Sequence, residues 1–279
     1  MSIKIVTDST ADINKEMCER YQISVIPMQI ILDGKTYIDR VDITPNEFLE
    51  KMKAADELPK SSQPSIGHFI ELYDQLSADG SEIISIHLAG ELSGTVRTAH
   101  AAALQCNGKV TVVDSTFISK ALTFQVVEAA KMAQEGKTVE EIVNRLNHIR
   151  LRTKLYVVVN TFENLVKGGR IGKGKALIGS LLKIKPIASL EDGIYTPIAN
   201  VRSYSQVVKN LVKHLKEDTD GKEIKEIGIV HADGMELATL LKEKILEAFE
   251  HLEILIEDTT PIISTHTGPG AIGFMYYAE

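Results

Sequence analysis

Ile3-Lys4-Ile5-Val6-Thr7-Asp8-Ser9-Thr10-Ala11-Asp12 is the stretch on which the fold turns. Ile3 to Val6 reads as a short apolar strand, and the Asp8–Asp12 segment behind it carries helix-start chemistry. The motif returns at Val112-Val113-Asp114-Ser115-Thr116. Each copy stands where a parallel strand would hand over to a helix. Each aspartate therefore either caps a helix or lines the crevice at the carboxyl ends of the strands, where open α/β sheets bind ligands.

Between the two copies the chain keeps alternating. Ile23 to Leu32 is almost continuously apolar, as a single buried strand would be, and Asp33-Gly34 turns it. Thr44-Pro45-Asn46-Glu47 combines an N-cap, a proline in the first turn and a capping-box glutamate. A strand at Ile83–Leu88 enters Leu92-Ser93-Gly94-Thr95 and a helix of small residues. Helices are predicted from about Phe117 to Gln134 and from Val139 to Arg150, the second capped by Thr138 with Glu141.

Arg150-Leu151-Arg152-Thr153-Lys154 reads as the crossing to a second domain. Beyond it, strands are predicted at Leu155–Asn160, Pro186–Leu190, Ile194–Val201, Glu226–His231, Glu253–Glu257 and Ala271–Tyr277. Helices are predicted at Tyr204–Lys216 and Met235–Phe249. The expected fold is α/β with two α/β domains. Residues 1–152 carry a parallel sheet with helices on both faces, and residues 153–279 carry a mixed sheet.

Composition narrows the function classes. The 279 residues are 44% hydrophobic and 25% charged, ordinary globular values. A net charge of −7 leaves no surplus of cations for neutralising phosphates, which argues against nucleic acid as a partner. Cys18 and Cys106 lie far apart without metal-ligand spacing and read as reduced thiols. The start of the chain lacks a signal-peptide pattern and no apolar run is long enough to span a bilayer, so the expectation is a cytoplasmic protein without an integral membrane segment.

Three polar stretches stand out. Ser61-Ser62-Gln63-Pro64-Ser65 precedes a helix starting near Ile66; Ser65 reads as its cap, while Ser61 and Ser62 are free either to face a ligand or to lie in a surface loop. Ser93, Gly94 and Thr95 open a helix whose free N–H groups favour an anion, or Ser93 is simply an N-cap. Ser264-Thr265-His266-Thr267-Gly268-Pro269-Gly270 sets a histidine among hydroxyls and glycines beside an apolar tail. These donors suit a carboxylate or phosphate, but no nucleophile-base motif accompanies them.

The other eye-catching segments carry less. No histidine pair has metal-ligand spacing, and His87 and His231 read as core-edge residues. Gly169-Arg170-Ile171-Gly172-Lys173-Gly174-Lys175-Ala176 approaches a P-loop but has alanine where magnesium needs a hydroxyl, and no strand leads directly into it. Lys167, Arg170, Lys173, Lys175, Lys183 and Lys185 form a cationic run that is either a docking face for an acidic partner or a solvated surface. Arg202 follows a strand and either reaches the crevice or satisfies nearby carbonyls. A serine hydrolase using Ser93, with His266 and Asp8, is an alternative weakened by the missing Gly-x-Ser-x-Gly elbow.

Taken in order, Val6-Thr7-Asp8-Ser9-Thr10, Val25-Ile26-Pro27, Ser62-Gln63-Pro64-Ser65, Leu92-Ser93-Gly94-Thr95, Gly168-Gly169-Arg170-Ile171, Lys185-Pro186-Ile187 and His266-Thr267-Gly268-Pro269-Gly270 resemble the DegV family of bacterial fatty-acid-binding proteins nearly end to end. Ser61 stands where that family often has threonine, keeping the hydroxyl and losing a methyl.

The resemblance implies a long-chain fatty acid between two domains, with no other cofactor. Ser61, Ser62, Ser93, Gly94, Thr95 and His266 would surround its carboxylate. It also implies an ATP-dependent fatty acid kinase as partner, with no catalytic residue in this chain alone. Arg170, Arg202 and His266 would support phosphoryl transfer, and Arg170, Lys173 and Arg202 would dock the kinase. The acyl phosphate would pass to phospholipid synthesis, with an acyltransferase downstream. A lipid-responsive regulator without chemistry is the further alternative. Met28, Ile30, Leu122, Phe124, Leu181 and Phe274 are candidates for the tunnel wall.

Overall fold

The alternation read from the sequence builds two sheets around a shared layer of helices. The computed structural model describes residues 2–177 and 184–279. The first half runs β1 (Ile3–Asp8), α1 (Lys15–Tyr21), β2 (Ile23–Ile26), β3 (Gln29–Leu32), β4 (Lys35–Ile38), α2 (Pro45–Ala54), β5 (Lys60–Ser62), α3 (Ile66–Ser77), β6 (Glu82–His87), α4 (Thr95–Ala103), β7 (Val110–Asp114), α5 (Ser119–Gln134) and α6 (Val139–Arg152). The second half runs β8 (Thr153–Val158), α7 (Glu163–Lys167), β9 (Lys185–Glu191), β10 (Ile194–Val201), α8 (Tyr204–Asp218), β11 (Ile224–Ala232), α9 (Met235–Leu246), β12 (Ile256–Asp258), α10 (Pro261–Thr267) and β13 (Ala271–Ala278).

Strands β2-β1-β6-β7 form an all-parallel sheet. Strands β10-β9-β8-β13-β11-β12 form a mixed sheet, antiparallel except for the β11–β12 pair. One face of the parallel sheet meets α3 and α4 through Val6, Ile83, Phe69, Tyr73, Ala99 and Ala102. Its other face, with Ile5, Ile84 and Ile86, meets α5. That helix also packs on β8, β11 and β13 of the mixed sheet, whose far side is covered by α8 and α9. Apolar and small residues therefore cover nearly the whole circumference of α5, and even Gln125 is fully buried, donating to the Ser115 carbonyl (3.1 Å).

Three sequence expectations change. The apolar run 23–32 is two strands in different sheets, because Pro27 has no N–H for a ladder and keeps its predecessor extended. The chain leaves the parallel sheet at Ile26 and resumes at Gln29 in a small antiparallel sheet, β4-β3-β5, which places Ser61 opposite Ile30. Asp8 starts no helix: α1 begins at Lys15, capped by Asn14, whose side chain accepts from the Met17 N–H (2.8 Å). The segment predicted as a strand over 253–257 pairs only at Ile256–Asp258. The capping boxes at Thr44/Glu47 and Thr138/Glu141 form as the sequence predicts.

Candidate functional site

The site is built where β1, β6 and β7 end side by side. Asp8 closes β1, and one of its oxygens accepts from the Thr10 N–H (3.0 Å) and hydroxyl (2.6 Å). The other accepts from the Leu88 N–H (2.9 Å), beyond the end of neighbouring β6, and lies 3.0 Å from His87 Nδ1. Asp114 repeats the device from the other flank, accepting from the Thr116 N–H (2.8 Å) and the Gly90 N–H (3.1 Å). A Cβ at Gly90 would fall 2.7 Å from that carboxylate. The repeated motif thus neither caps helices nor faces a ligand through its carboxylates. Two aspartates on flanking strands grip the backbone of the loop between them, the loop that delivers Ser93, Gly94 and Thr95.

The two hydroxyl stretches meet on that loop. Ser93 Oγ accepts from the Thr95 N–H (3.3 Å) and lies 2.9 Å from the Thr95 hydroxyl. Gln63 reaches over the start of α4 and donates to the Thr98 hydroxyl. A Cβ at Gly94 would come within 2.2 Å of the Gln63 amide oxygen, so glycine is what admits Gln63. Strand alternation separates the two serines of β5. Ser61 faces inward, whereas Ser62 lines neither cavity nor cleft and its hydroxyl turns to the Gln63 carbonyl (3.4 Å).

His266 lies in the last turn of α10 rather than in a loop. The start of that helix is held by two buried carboxylates of the first half: Asp12 accepts from the Thr260 N–H (3.0 Å) and Asp39 from the Ile262 N–H (3.2 Å). Gly268 ends the helix in the left-handed region (φ 73°), and its N–H returns to the Ser264 carbonyl (2.9 Å). The His266 Nε2 is 2.7 Å from the Ser61 hydroxyl, while Nδ1 has no partner among the described residues. Burial, assisted by the nearby Arg170 charge, pushes the imidazole pKa down to about 4. The ring is therefore neutral at physiological pH, with one nitrogen as donor and the other as acceptor.

Arg170 is braced rather than free. Its Nε donates to the Leu92 carbonyl (3.0 Å) and its Nη1 to the Gly168 carbonyl. Gly168 also backs the imidazole, since a Cβ there would lie 2.4 Å from His266 Nδ1. Of the adjacent glycines only Gly169 has positive φ (74°). A glycine pair with a single backbone requirement is the signal that could have singled out Gly168. Gln63 and Asp39 offered no comparable local sign.

Ser61, Arg170 and His266 stand at a boundary between two spaces. Outside is an open cleft of about 750 Å³, bordered also by Lys60, Glu163 and Lys167. Inside is an apolar cavity of about 70 Å³ walled by Met28, Leu88, Leu92, Ile118, Val157 and Leu165, with Thr10 and Ser93 among its few polar neighbours. Ile118, Val157, Ile263 and Thr267 also wall a deeper cavity of about 20 Å³ between α5 and the mixed sheet. Of the tunnel-wall candidates, Met28 lines these spaces; Ile30 and Leu122 are core residues behind them, and Phe274 faces α8 and α9. Phe124 is buried in the central core, and Leu181 lies outside the described residues.

The remaining cations do not gather at the boundary. Arg202 is exposed beyond β10 and lines neither space; its backbone N–H donates to Gln206 (2.9 Å). Lys173 and Lys175 are exposed on a 3₁₀ turn (Gly172–Leu177), which also rules out P-loop geometry. Lys167 pairs with Glu163 (3.0 Å), and Lys185 donates to Asn160 and covers the Tyr204 ring. Lys183 lies outside the described residues. The run is acid-free in sequence but not in space.

No serine-hydrolase triad assembles from Ser93, His266 and Asp8, because each is committed elsewhere. Asp8 instead meets His87, whose Nε2 is 2.7 Å from Ser85, itself bonded to the Tyr73 hydroxyl (2.8 Å). Asp8, His87 and Ser85 have no exposed surface, so this relay braces the sheet from within. Burial opposes ionisation of Asp8, yet His87, Thr10 and the Leu88 N–H together hold its pKa below the ordinary value. Among the described residues no group of three or more His, Cys, Asp or Glu is placed to hold a metal, and no helix is long and apolar enough to cross a membrane.

Fold and site together define an α/β protein with an apolar cavity between two sheets and a polar rim of hydroxyls, imidazole and guanidinium. The chain belongs to the DegV family: the model described as "Uncharacterised protein, DegV family" matches residues 2–279. A DegV domain-containing protein of Staphylococcus aureus is 46% identical over 271 residues, 97% of each chain. A fatty-acid-binding DegV family protein from Thermus thermophilus superposes with a TM-score of 0.94 at 31% identity, covering 100% of both chains. DegV from Bacillus subtilis, described as a fatty acid binding protein, superposes at 0.92 with 33% identity, again over 100% of both.

Proposed function

We propose that this protein binds one long-chain fatty acid, its carboxylate at the Ser61–His266 boundary and its acyl chain in the cavities behind. Residues 1–152 and 153–279 would be the two domains that enclose it. The observation that carries this reading is the change from polar rim to apolar interior across one residue layer, in a chain whose structural relatives are described as fatty-acid-binding proteins. Burying an alkyl chain contributes about 0.8 kcal/mol per methylene, whereas a carboxylate taken from water without partners costs several kcal/mol. Such a ligand therefore needs donors at one end only. Ser61 and Ser93 offer hydroxyls at the cavity, Gly94 and Thr95 hold Ser93 from behind, Ser62 takes no direct part because it turns away, and neutral His266 donates without forming an ion pair.

The carboxylate so held is accessible from the open cleft. In our reading an ATP-dependent fatty acid kinase docks over that cleft, meeting Arg170 at its edge and Lys173 and Arg202 on the exposed surface outside it, and Arg170, Arg202 and His266 support the transfer. A carboxylate oxygen bonds to the γ-phosphorus as the bond to the ADP oxygen breaks, giving acyl phosphate and ADP. The acyl phosphate would then pass to an acyltransferase for phospholipid synthesis. Native mass spectrometry of the purified protein, with analysis of extracted lipid, tests the binding step. One long-chain acid per chain is expected. Protein that carries none, and takes up none after delipidation, would refute the proposal.

A further inference from the structure

The inner cavity has a floor whose shape is set by one strand. On the face of β13 towards α5, the side chains run Ala271, Gly273, Met275 away from the His266 end: small, absent, then large. Gly273 is paired with Val157 of β8 on one side and Val230 of β11 on the other. Two β-branched side chains thus stand either side of a position with none, and all three line the inner cavity. Val157 lines the outer cavity as well, so the trough continues from the one into the other.

Glycine in the interior of a strand is disfavoured against alanine and calls for a reason. Backbone geometry supplies none, because Gly273 is absent from the positive-φ residues. Nor does close approach of another segment's backbone. A Cβ there would first meet Val230 Cγ2 at 3.0 Å and Met275 Cε at 3.2 Å, both ends of side chains, and no backbone atom within 4 Å is among its three nearest. The missing side chain leaves place for the ends of Val230 and Met275, and a methyl there would push them towards the inner cavity that both line. Along the trough Met275, fully buried between Leu155 and Gly228, closes the way.

We infer that Gly273 and Met275 set the length of acyl chain this protein accepts, Gly273 by opening the inner end of the tunnel and Met275 by stopping it. The inference rests on the fatty-acid reading above. The test is a competition series of saturated acids from twelve to twenty carbons on delipidated wild type, Gly273→Ala and Met275→Ala. Gly273→Ala should shift the preference to shorter acids, with roughly fourfold weaker binding for each methylene left without a place and unchanged affinity for the shortest acids. It should still fold, with its melting temperature within a few degrees of wild type, the strand preference for alanine being offset by the tight contacts of the new methyl with Val230 and Met275. Met275→Ala should shift the preference to longer acids. Identical length profiles for wild type and Gly273→Ala overturn the inference while leaving fatty-acid binding intact. A wild type that binds none of the series overturns both.

Discussion

Replacing Asp39 by asparagine should flatten the pH dependence of folding. Asp39 is 1% exposed; one oxygen accepts the Ile262 N–H and the other has no partner among the described residues. Burial pushes its pKa up to about 7, and neighbouring Asp12, itself pushed up to about 6 by burial, adds to the shift. In the unfolded chain both titrate near 3.8. Between these values the folded state keeps protons that the unfolded chain has released. Stability is therefore greatest at the acid end of this window and declines as pH rises through the folded pKa values. At roughly 1.4 kcal/mol per pH unit, Asp39 alone accounts for about 4 kcal/mol, a large part of a typical domain's stability.

Asparagine keeps an acceptor for Ile262 and cannot ionise. Asp39→Asn should match the wild type within about 1 to 2 kcal/mol near pH 5, allowing for an imperfectly paired amide. Its stability relative to wild type should then improve up to about pH 7, where Asp39 ionises in the folded protein, and level off towards pH 8. Urea unfolding of both proteins at several pH values measures the difference directly. A difference that stays constant from about pH 5 to pH 8 would show that Asp39 does not carry the proton assigned to it. The consequence extends to the site, because Asp39 secures the first turn of the helix that carries His266.

Two further outcomes follow from other contacts. Gly168→Ala places a methyl where the imidazole now lies, so the Ser61–His266 bond should break and fatty-acid affinity should fall on the order of tenfold by calorimetry; unchanged affinity would remove this bond from ligand binding. Asp8→Ala leaves the Leu88 and Thr10 N–H groups and His87 buried without their acceptor, and should cost about 3–5 kcal/mol in equilibrium unfolding. A loss below about 1 kcal/mol would contradict the loop grip described for the paired aspartates.

How far the site was legible depends on what kind of contact each residue makes. The hydroxyl stretches around Ser61 and Ser93 were visible because turn and cap residues follow local rules. That Ser62 turns away from the cavity follows only from the register of β5 on β3, a pairing the sequence pattern hid behind Pro27. Asp8 and Asp114 looked like caps because capping and gripping a neighbouring loop call for the same residue type. Arg202 stood at a strand end as expected, yet lines neither space at the His266 boundary. The cationic run looked unopposed because Glu163 reaches Lys167 across a helical turn rather than from within the run.

The sequence by itself determined the alternation of strands and helices, the capping boxes at Thr44 and Thr138, and the motif order shared with the DegV family. Those are properties of a few consecutive residues, set by backbone preference and by which face each side chain presents. Only the tertiary structure decided that Ser61 meets His266 across 205 positions, that Asp8 holds Leu88 across 80, and that Gly273 lies in a trough between two valines. Such partners are selected by desolvation: once buried, a donor, a carboxylate or an empty space is satisfied by whatever the packed sheets bring beside it, however distant in the chain.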